Sequence, residues 1–174
     1  MKQSNINRIG GLALVLLFTA SSALAQFSLG FDFQLPMGSF GDGFYTGFGG
    51  SARYDKGIND NLSWTAGIGY ASYGSKASIP GASLSASIVP ITGGIKYYFT
   101  ESNKGFYGGA DLGVYIVTAS VSVSGFSVSS SDSKFGFSPG VGYRVGSFDI
   151  SGRYNIISDF NNIGFRVAYI FGGN

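Results

Sequence analysis

The side chains able to do chemistry are few in this chain. It contains no His and no Cys, and Glu101 is its single Glu. A serine nucleophile would therefore lack the imidazole that usually takes its proton, and thiol catalysis and disulfides are excluded. The two commonest zinc ligands are missing as well. These absences disfavour the main classes of hydrolase, and we expect no cofactor and no metal site.

Carboxylates are the remaining groups that could do acid–base work. The candidates are Asp32, Asp111 and Asp149, and each has basic residues available nearby in the pattern described below. A carboxylate beside a cation is held in its charged form and is a poor proton donor. We therefore predict that the protein is not an enzyme, with catalysis kept as a disfavoured alternative.

The elements that carry these residues are β-strands. From residue 26 onward apolar residues recur with a period of two, as Phe27, Leu29 and Phe31 do against Ser28 and Gly30. Seven further segments alternate in the same way, around residues 48–54, 62–70, 89–99, 106–116, 135–145, 148–154 and 163–171. The pattern therefore predicts eight strands, each near the length that crosses a bilayer at a tilt. No helical pattern is visible after residue 25.

Eight charged side chains occupy the polar phase of these strands. They are Asp32, Arg53, Lys96, Asp111, Arg144, Asp149, Arg153 and Arg166. They could form a polar conduit or an anion site, or a structural network of ion pairs that fills the lumen. We favour the network, because an eight-stranded barrel has an interior just wide enough for side chains and buried charges must be paired. Two pairs are expected: Arg144 with Asp149 across a tight turn, and Asp32 with Arg166.

Glycine-rich stretches such as Gly140-x-Gly142 could be mistaken for phosphate-binding loops. Such loops lie between a strand and a helix, which this pattern does not provide. Small residues lining a narrow barrel explain them better. With no clustered basic patch either, we expect no nucleotide and no nucleic acid partner.

The composition points to a membrane. Charged residues make up 11% of the chain, against about 25% in a soluble domain. No apolar run reaches the roughly 20 residues of a spanning helix, so a closed sheet is the remaining solution.

The connections at residues 56–61, 100–105 and 146–147 are short turns, whereas residues 73–87 and 120–134 are predicted as long polar loops on the other side. Once strand directions are assigned, aromatics collect at the strand ends, as interfacial girdles do. At the end with short turns this girdle includes Tyr54, Trp64, Tyr97, Phe99, Tyr143, Tyr169 and Phe171.

The first 25 residues have the form of an export signal. Lys2 and Arg8 are followed by a short apolar segment and by Ala23-Leu24-Ala25, a small-x-small cleavage site. We predict a signal peptide at residues 1–25 and an outer-membrane β-barrel at residues 26–174. Losing Lys2 and Arg8 leaves nine basic and nine acidic residues, so the mature chain is formally neutral.

Residues 26–174 resemble the small bacterial outer-membrane β-barrel proteins of the OmpA/OmpX type. The resemblance includes the last strand, Ile163-x-Phe165-x-Val167-x-Tyr169-x-Phe171. It implies an all-β, eight-stranded antiparallel up-and-down transmembrane β-barrel in the cell outer membrane. It also implies that the lipid bilayer and the barrel-assembly machinery are partners, the machinery reading the aromatic end of the last strand.

For function we predict a non-enzymatic role in envelope structure or surface interaction, carried by exposed loops whose partner the sequence does not name. A narrow, porin-like passive channel for small solutes or ions is the alternative. A lipid-modifying enzyme and a soluble ligand-binding barrel are weaker ones.

Overall fold

The structure is a computed structural model that describes residues 25–77, 82–100, 103–123 and 126–172. The predicted signal peptide lies outside the described residues, apart from Ala25. The elements in chain order are β1 (Ala25–Pro36), α1 (Gly38–Gly43), β2 (Gly47–Gly57), β3 (Leu62–Gly74), β4 (Ala82–Tyr98), β5 (Gly105–Val123), β6 (Phe126–Val145), β7 (Phe148–Ile157) and β8 (Asn162–Phe171). In these ranges there is no helix long and apolar enough to cross a membrane.

The eight strands close into a barrel in which each strand pairs antiparallel with its neighbours in sequence. Closure is made by β1 and β8, from Phe27 opposite Phe171 to Pro36 opposite Asn162. The predicted fold, an eight-stranded antiparallel up-and-down barrel, is confirmed. Both termini of the barrel lie at the end with the short connections, which we call the turn end; the opposite end is the loop end.

The outer face of the barrel is apolar and its inner face is polar along most of its length. Ile68, Leu112 and Val141 point outward and are 54%, 65% and 53% exposed. The seven girdle residues also lie on the outer face near the turn end, mostly exposed, with Tyr54 half-buried. Neighbouring rings there touch, as Tyr54 and Trp64 do at a centroid distance of 5.4 Å.

The two predicted long loops are largely strand, which corrects that prediction. β5 continues to Val123 and β6 begins at Phe126, and these two residues face each other. β4 likewise starts at Ala82 and pairs with this extension. The serine-rich sequence reads as a loop by composition, yet its residues alternate, and serine hydroxyls pair across the strands, such as Ser122 with Ser127 at 2.7 Å. Cross-strand pairing of this kind stabilises a sheet whatever the individual propensity.

The expectation that no helix follows residue 25 is wrong for one short segment. Helix α1 occupies the first connection at the loop end, and three of its six residues are glycines, Gly38, Gly41 and Gly43. Glycine is a poor helix former, so propensity does not explain the helix. Tertiary packing does, because the buried Phe40 anchors it to the barrel.

The polarity of the two faces inverts near the loop end. On the outer face of β5, Val114 and Ile116 give way to Thr118 and Ser120, whereas the inner face changes from Asp111 and Tyr115 to Val117 and Val121. β4 and β6 change in the same way, with serines on the outer face beyond Val89 and Phe135. An apolar outer face suits lipid and a hydroxyl outer face suits water, so this level marks where the barrel leaves the apolar layer.

Candidate functional site

The barrel interior brings together the eight charged residues that the sequence placed in the polar phase. Six of them are buried: Arg53, Lys96, Asp111, Arg144, Asp149 and Arg166. Asp32 and Arg153 are half-buried on the same inner face. Strand alternation is sufficient to position all eight, since each lies an even number of residues from another inward side chain of its strand.

A first cluster near the turn end is centred on Lys96. Its ammonium lies 2.9 Å from Asp55 Oδ2 and 3.5 Å from Asp149 Oδ2. The Tyr107 hydroxyl donates to the same Asp149 carboxylate, and its ring lies under the ammonium at 4.8 Å. One lysine is thus shared by two carboxylates and one aromatic face.

A second cluster, further toward the loop end, is centred on Asp111. It pairs with Arg53 and, at 3.4 Å, with Arg153, and it accepts a hydrogen bond from Thr65 at 3.0 Å. Arg166 lies 3.9 Å from Asp149 of the first cluster. It also donates to the hydroxyls of Ser51 and Ser28 at 2.8 and 3.1 Å.

The strand register places the expected partners opposite each other, but their side chains form contacts with other residues. Arg144 faces Asp149 and Asp32 faces Arg166, as the hairpin and closure arguments predict. Arg144, however, donates to the Gln26 side chain and to the Asn103 carbonyl, and Asp149 pairs with Lys96 and Arg166. Asp32 Oδ2 is buried with no hydrogen-bond partner among the described residues. The expected Arg144–Asp149 and Asp32–Arg166 ion pairs are therefore wrong at the level of contacts.

Sequence reasoning missed some interior residues. Asp55 was not assigned to the lumen, although it follows Arg53 by two residues and so shares its phase. Tyr73 is also buried inward, where its hydroxyl hydrogen-bonds to Gln34. The signal for both was the same alternation, continued one or two steps further along the strand. Tyr115 lies in the polar phase of its predicted segment and is buried inward as that phase implies, with a hydrogen bond to Ser138.

Above the charged layers the loop end is closed by an aromatic cluster. Phe40 of α1 packs against Tyr73, Phe44 and Phe160 at centroid distances of 4.9, 5.1 and 5.3 Å. Hydrogen bonds to backbone carbonyls hold the helix in place. The Met37 N–H donates to the Asn161 carbonyl, and the Lys76 side-chain ammonium donates to the Gly41 carbonyl. Sequence analysis gave no indication of this cluster, because it is formed by contacts between distant connections.

Two small cavities lie among the charged side chains inside the barrel. One cavity of about 40 Å³ is lined by Asp32, Arg53 and Arg153 among others, and another of about 20 Å³ shares Arg53 and Arg153 with it. A water molecule needs roughly 10–15 Å³ of such space, so each cavity holds at most a few waters. In the described part of the chain there is no group of three or more His, Cys, Asp or Glu side chains arranged to hold a metal ion.

Comparison with known proteins gives the family. Residues 10–171 match the model of the outer membrane protein beta-barrel domain. The chain belongs to this family. Among curated protein sequences none matches it significantly.

Solved structures share its fold. Ail, the attachment invasion locus protein of Yersinia pestis, is 16% identical with a TM-score of 0.64, over 86% of this chain and 99% of that one. The N-terminal β-barrel domain of Pseudomonas aeruginosa OprF is 11% identical (TM-score 0.55), over 84% and 97% of the two chains. Neisserial surface protein A is 17% identical (TM-score 0.51), over 84% and 94%. The chain is thus an outer-membrane β-barrel whose apolar outer face sits in the lipid bilayer.

Proposed function

We propose that the chain is a non-enzymatic outer-membrane barrel with a structural, closed lumen and a surface-interaction role at the loop end. The observation that carries this proposal is the filling of the lumen, where ion pairs and tyrosines occupy the cross-section and Phe40 covers them. A lumen closed to solutes leaves the loop end as the part that would meet other molecules.

The interior carboxylates favour a structural role over a catalytic one. Asp55, Asp111 and Asp149 each have a cation within 4.0 Å, so each carboxyl group is already engaged in an ion pair. The chain also has no imidazole or thiol to act as base or nucleophile. Both facts support a protein without enzymatic activity.

The names of structural neighbours agree with a surface role but not with a shared ligand. Ail is an attachment invasion locus protein and was crystallised with the heparin analogue sucrose octasulfate. The loop end of the present chain carries only two lysines, Lys76 and Lys134, against Asp42, Asp132 and Asp159. Lys134 is paired with Asp132 at 2.8 Å. This charge balance supports an uncharged partner rather than a polysulfated one.

Export and assembly complete the proposal. The signal peptide is removed near Ala25, and the barrel-assembly machinery reads the β8 end, where Tyr169 and Phe171 lie on the lipid face. The loop end then faces the outside of the cell.

Single-channel recording on the purified protein in planar bilayers tests the closed lumen. We expect no stable conductance, because side chains fill the interior. Insertion is checked on the same sample by the shift in gel migration between boiled and unboiled protein. Steady, ohmic steps from the unmutated protein would contradict the proposal and support the narrow-channel alternative.

Surface exposure is tested separately with a membrane-impermeant maleimide on intact cells. The chain has no Cys of its own, so single substitutions are specific. Ser127→Cys on the β5–β6 hairpin should react, and the matched Asn59→Cys at the turn end should react only after the membrane is opened. The reverse pattern would place the loop end in the periplasm and remove the surface role.

A further inference from the structure

The first residue after the predicted cleavage site is a glutamine on the inner face of the barrel. Gln26 follows Ala25 in β1, and its partner on β2 is Asp55. Its side chain is half-buried at the turn end and shares the inward phase of Ser28. Once the bond to Ala25 is cut, Gln26 carries both a free amine and a carboxamide. Such a residue can react with itself, because its α-nitrogen can close a ring on the side-chain carbonyl carbon.

The barrel holds the oxygen of this carboxamide. Arg144 of β6 donates from Nη1 to Gln26 Oε1. Arg144 is buried, and the same nitrogen donates to the Asn103 carbonyl at 3.3 Å. No ion pair between described residues includes Arg144, so no carboxylate among them shares this contact. A fixed cation at a carbonyl oxygen makes the carbon more electrophilic and stabilises the negative charge that develops there during attack.

The charges of the inner face favour a neutral group at this position. Apart from the Lys134–Asp132 pair at the loop end, the described inward cations are Arg53, Lys96, Arg144, Arg153 and Arg166, and the inward carboxylates are Asp32, Asp55, Asp111 and Asp149. Cations are therefore in excess in this part of the chain. A free α-amino group, with a pKa of about 7.7–8.0, would add a further positive charge beside Arg144 at neutral pH. Closing the ring replaces that ammonium with an uncharged amide.

We propose that Gln26 cyclises to pyroglutamate once the signal peptide is removed, with Arg144 holding and polarising the carboxamide, so that β1 begins with a neutral cap. The unprotonated α-nitrogen attacks Cδ, and a bond forms between these two atoms. The bond between Cδ and Nε2 breaks, and ammonia leaves with the proton that the amine gives up. No oxidant, reductant or other reactant is needed. The inference rests on the proposed export and goes beyond it.

A free N-terminus is the competing state. Asp55 Oδ1, on the residue opposite Gln26, is buried with no hydrogen-bond partner among the described residues, and an α-ammonium could bind there. Asp55 Oδ2, however, already takes the Lys96 ammonium at 2.9 Å, so the charge of this carboxylate is compensated. A protonated amine held by Asp55 would not react, because it has no lone pair. The two states therefore differ in mass.

The intact mass of the protein purified from outer membranes is the first measurement. We expect the mass of residues 26–174 less one ammonia. Gln26→Asn is the matched control, because its side chain is one methylene shorter and cannot close the same ring, so its mass should show no loss. A chain that begins at Gln26 with its full mass overturns the inference and leaves the proposed export intact. An intact Met1 contradicts the export instead.

The rate of ring closure tests the role of Arg144 and does not depend on export. Residues 26–174 are produced behind a tag that a specific protease removes directly before Gln26, and the cyclised fraction is followed by mass after cleavage. We expect the barrel folded in detergent to react at least about tenfold faster than the same chain unfolded in urea. Arg144→Met should remove this advantage. Lys104→Met, which removes an exposed cation from the same end, should keep it.

Two results overturn the role of Arg144. One is an equal rate for the folded and the unfolded unmutated chain, a comparison that needs no variant and stays informative if Arg144→Met does not fold. The other is an equal rate for folded Arg144→Met and folded Lys104→Met, where gel migration of unboiled samples shows that both are folded. Failure of the closed-lumen proposal shows instead as conductance, which does not depend on the N-terminus.

Discussion

Removing the Asp149 carboxylate should reveal which cation it is coupled to in the lumen. In sequence register the partner is Arg144, directly opposite, but in space the nearest cation is Lys96 at 3.5 Å. Breaking a buried ion pair costs about 3–5 kcal/mol because one charge is left alone. Lys96 keeps Asp55 at 2.9 Å, so we expect Asp149→Ala to lie at the low end, about 3 kcal/mol.

A double-mutant cycle separates the two candidates. Residues in contact show coupling of about 0.5–3 kcal/mol, whereas sites more than about 7–10 Å apart with no shared partner are nearly additive. Asp149→Ala combined with Lys96→Met should therefore be less destabilising than the sum of the single changes, by about 1–3 kcal/mol. Asp149→Ala combined with Arg144→Met should show a clearly smaller coupling, because these two residues face each other but the Arg144 guanidinium donates to Gln26 and Asn103.

The assay is urea unfolding in lipid vesicles. Trp64 is the single tryptophan and lies on the lipid face, so its fluorescence reports loss of the membrane environment, and gel migration of unboiled samples confirms the folded fraction. Coupling to Arg144 equal to or larger than coupling to Lys96 would refute the reasoning, since strand register and not side-chain reach would then decide the pairing.

Four further predictions follow from the faces and edges of the barrel. Leu112→Arg should cost about 2–4 kcal/mol and Tyr54→Arg about 0–1 kcal/mol, measured by urea unfolding in vesicles, because Leu112 lies near the middle of the lipid face and Tyr54 at its edge; equal costs would mean that the assigned lipid face is wrong. Gly142→Ala should lower the free energy of unfolding by about 1–3 kcal/mol, because its Cβ would meet the Tyr107 ring. In the control Gly152→Ala the added Cβ makes an ordinary contact with Phe165 at 3.6 Å. Two equally stable variants would contradict this packing. Replacing residues 121–128 by Asn-Gly shortens β5 and β6 symmetrically, so the barrel should still assemble and migrate differently on a gel before and after boiling. Deleting residues 124–131 removes the partners of residues 118–123 and should impair assembly. The opposite result would show that the paired extension of β5 and β6 does not form. Mass spectrometry of the mature protein should find Gln26 at the N-terminus, and an intact Met1 in the membrane fraction would rule out cleavage.

The fold was predictable from the sequence because its determinants are local. A period of two assigns each residue to a face, and short turns fix the register of neighbouring strands, which is why Arg144 and Asp149 do lie opposite each other. Side-chain partners were not predictable in this way. Arg and Lys side chains are long enough to reach beyond the residue directly opposite on the adjacent strand. The shear of a barrel also brings residues of strands that are far apart in sequence to one level of the lumen. Lys96, on β4, thus reaches Asp149 on β7.

The remaining misses arose from composition. Serine is common in loops, so residues 120–134 were predicted as one, although the Val–Ser alternation continues through them. Helix α1 could not be foreseen, because its glycines oppose it and contacts with distant connections hold it, including those of Phe40 with Tyr73 and Phe160. In both cases tertiary contacts decide the local structure.

The interior charges also explain how one register is chosen in a membrane. Lipid is as apolar as the outer face, so burial against lipid alone distinguishes poorly between alternative pairings. A slip of one residue would turn a strand inside out and move Arg53 or Arg166 from its carboxylate into hydrocarbon. Each such residue would cost about 2–4 kcal/mol near the bilayer midplane. Above the membrane this constraint ends, and there the same strands carry serine outside and valine inside. The parts of β4, β5 and β6 that extend above the membrane are therefore free to leave a strand edge unpaired, which the membrane-embedded part of the barrel could not do.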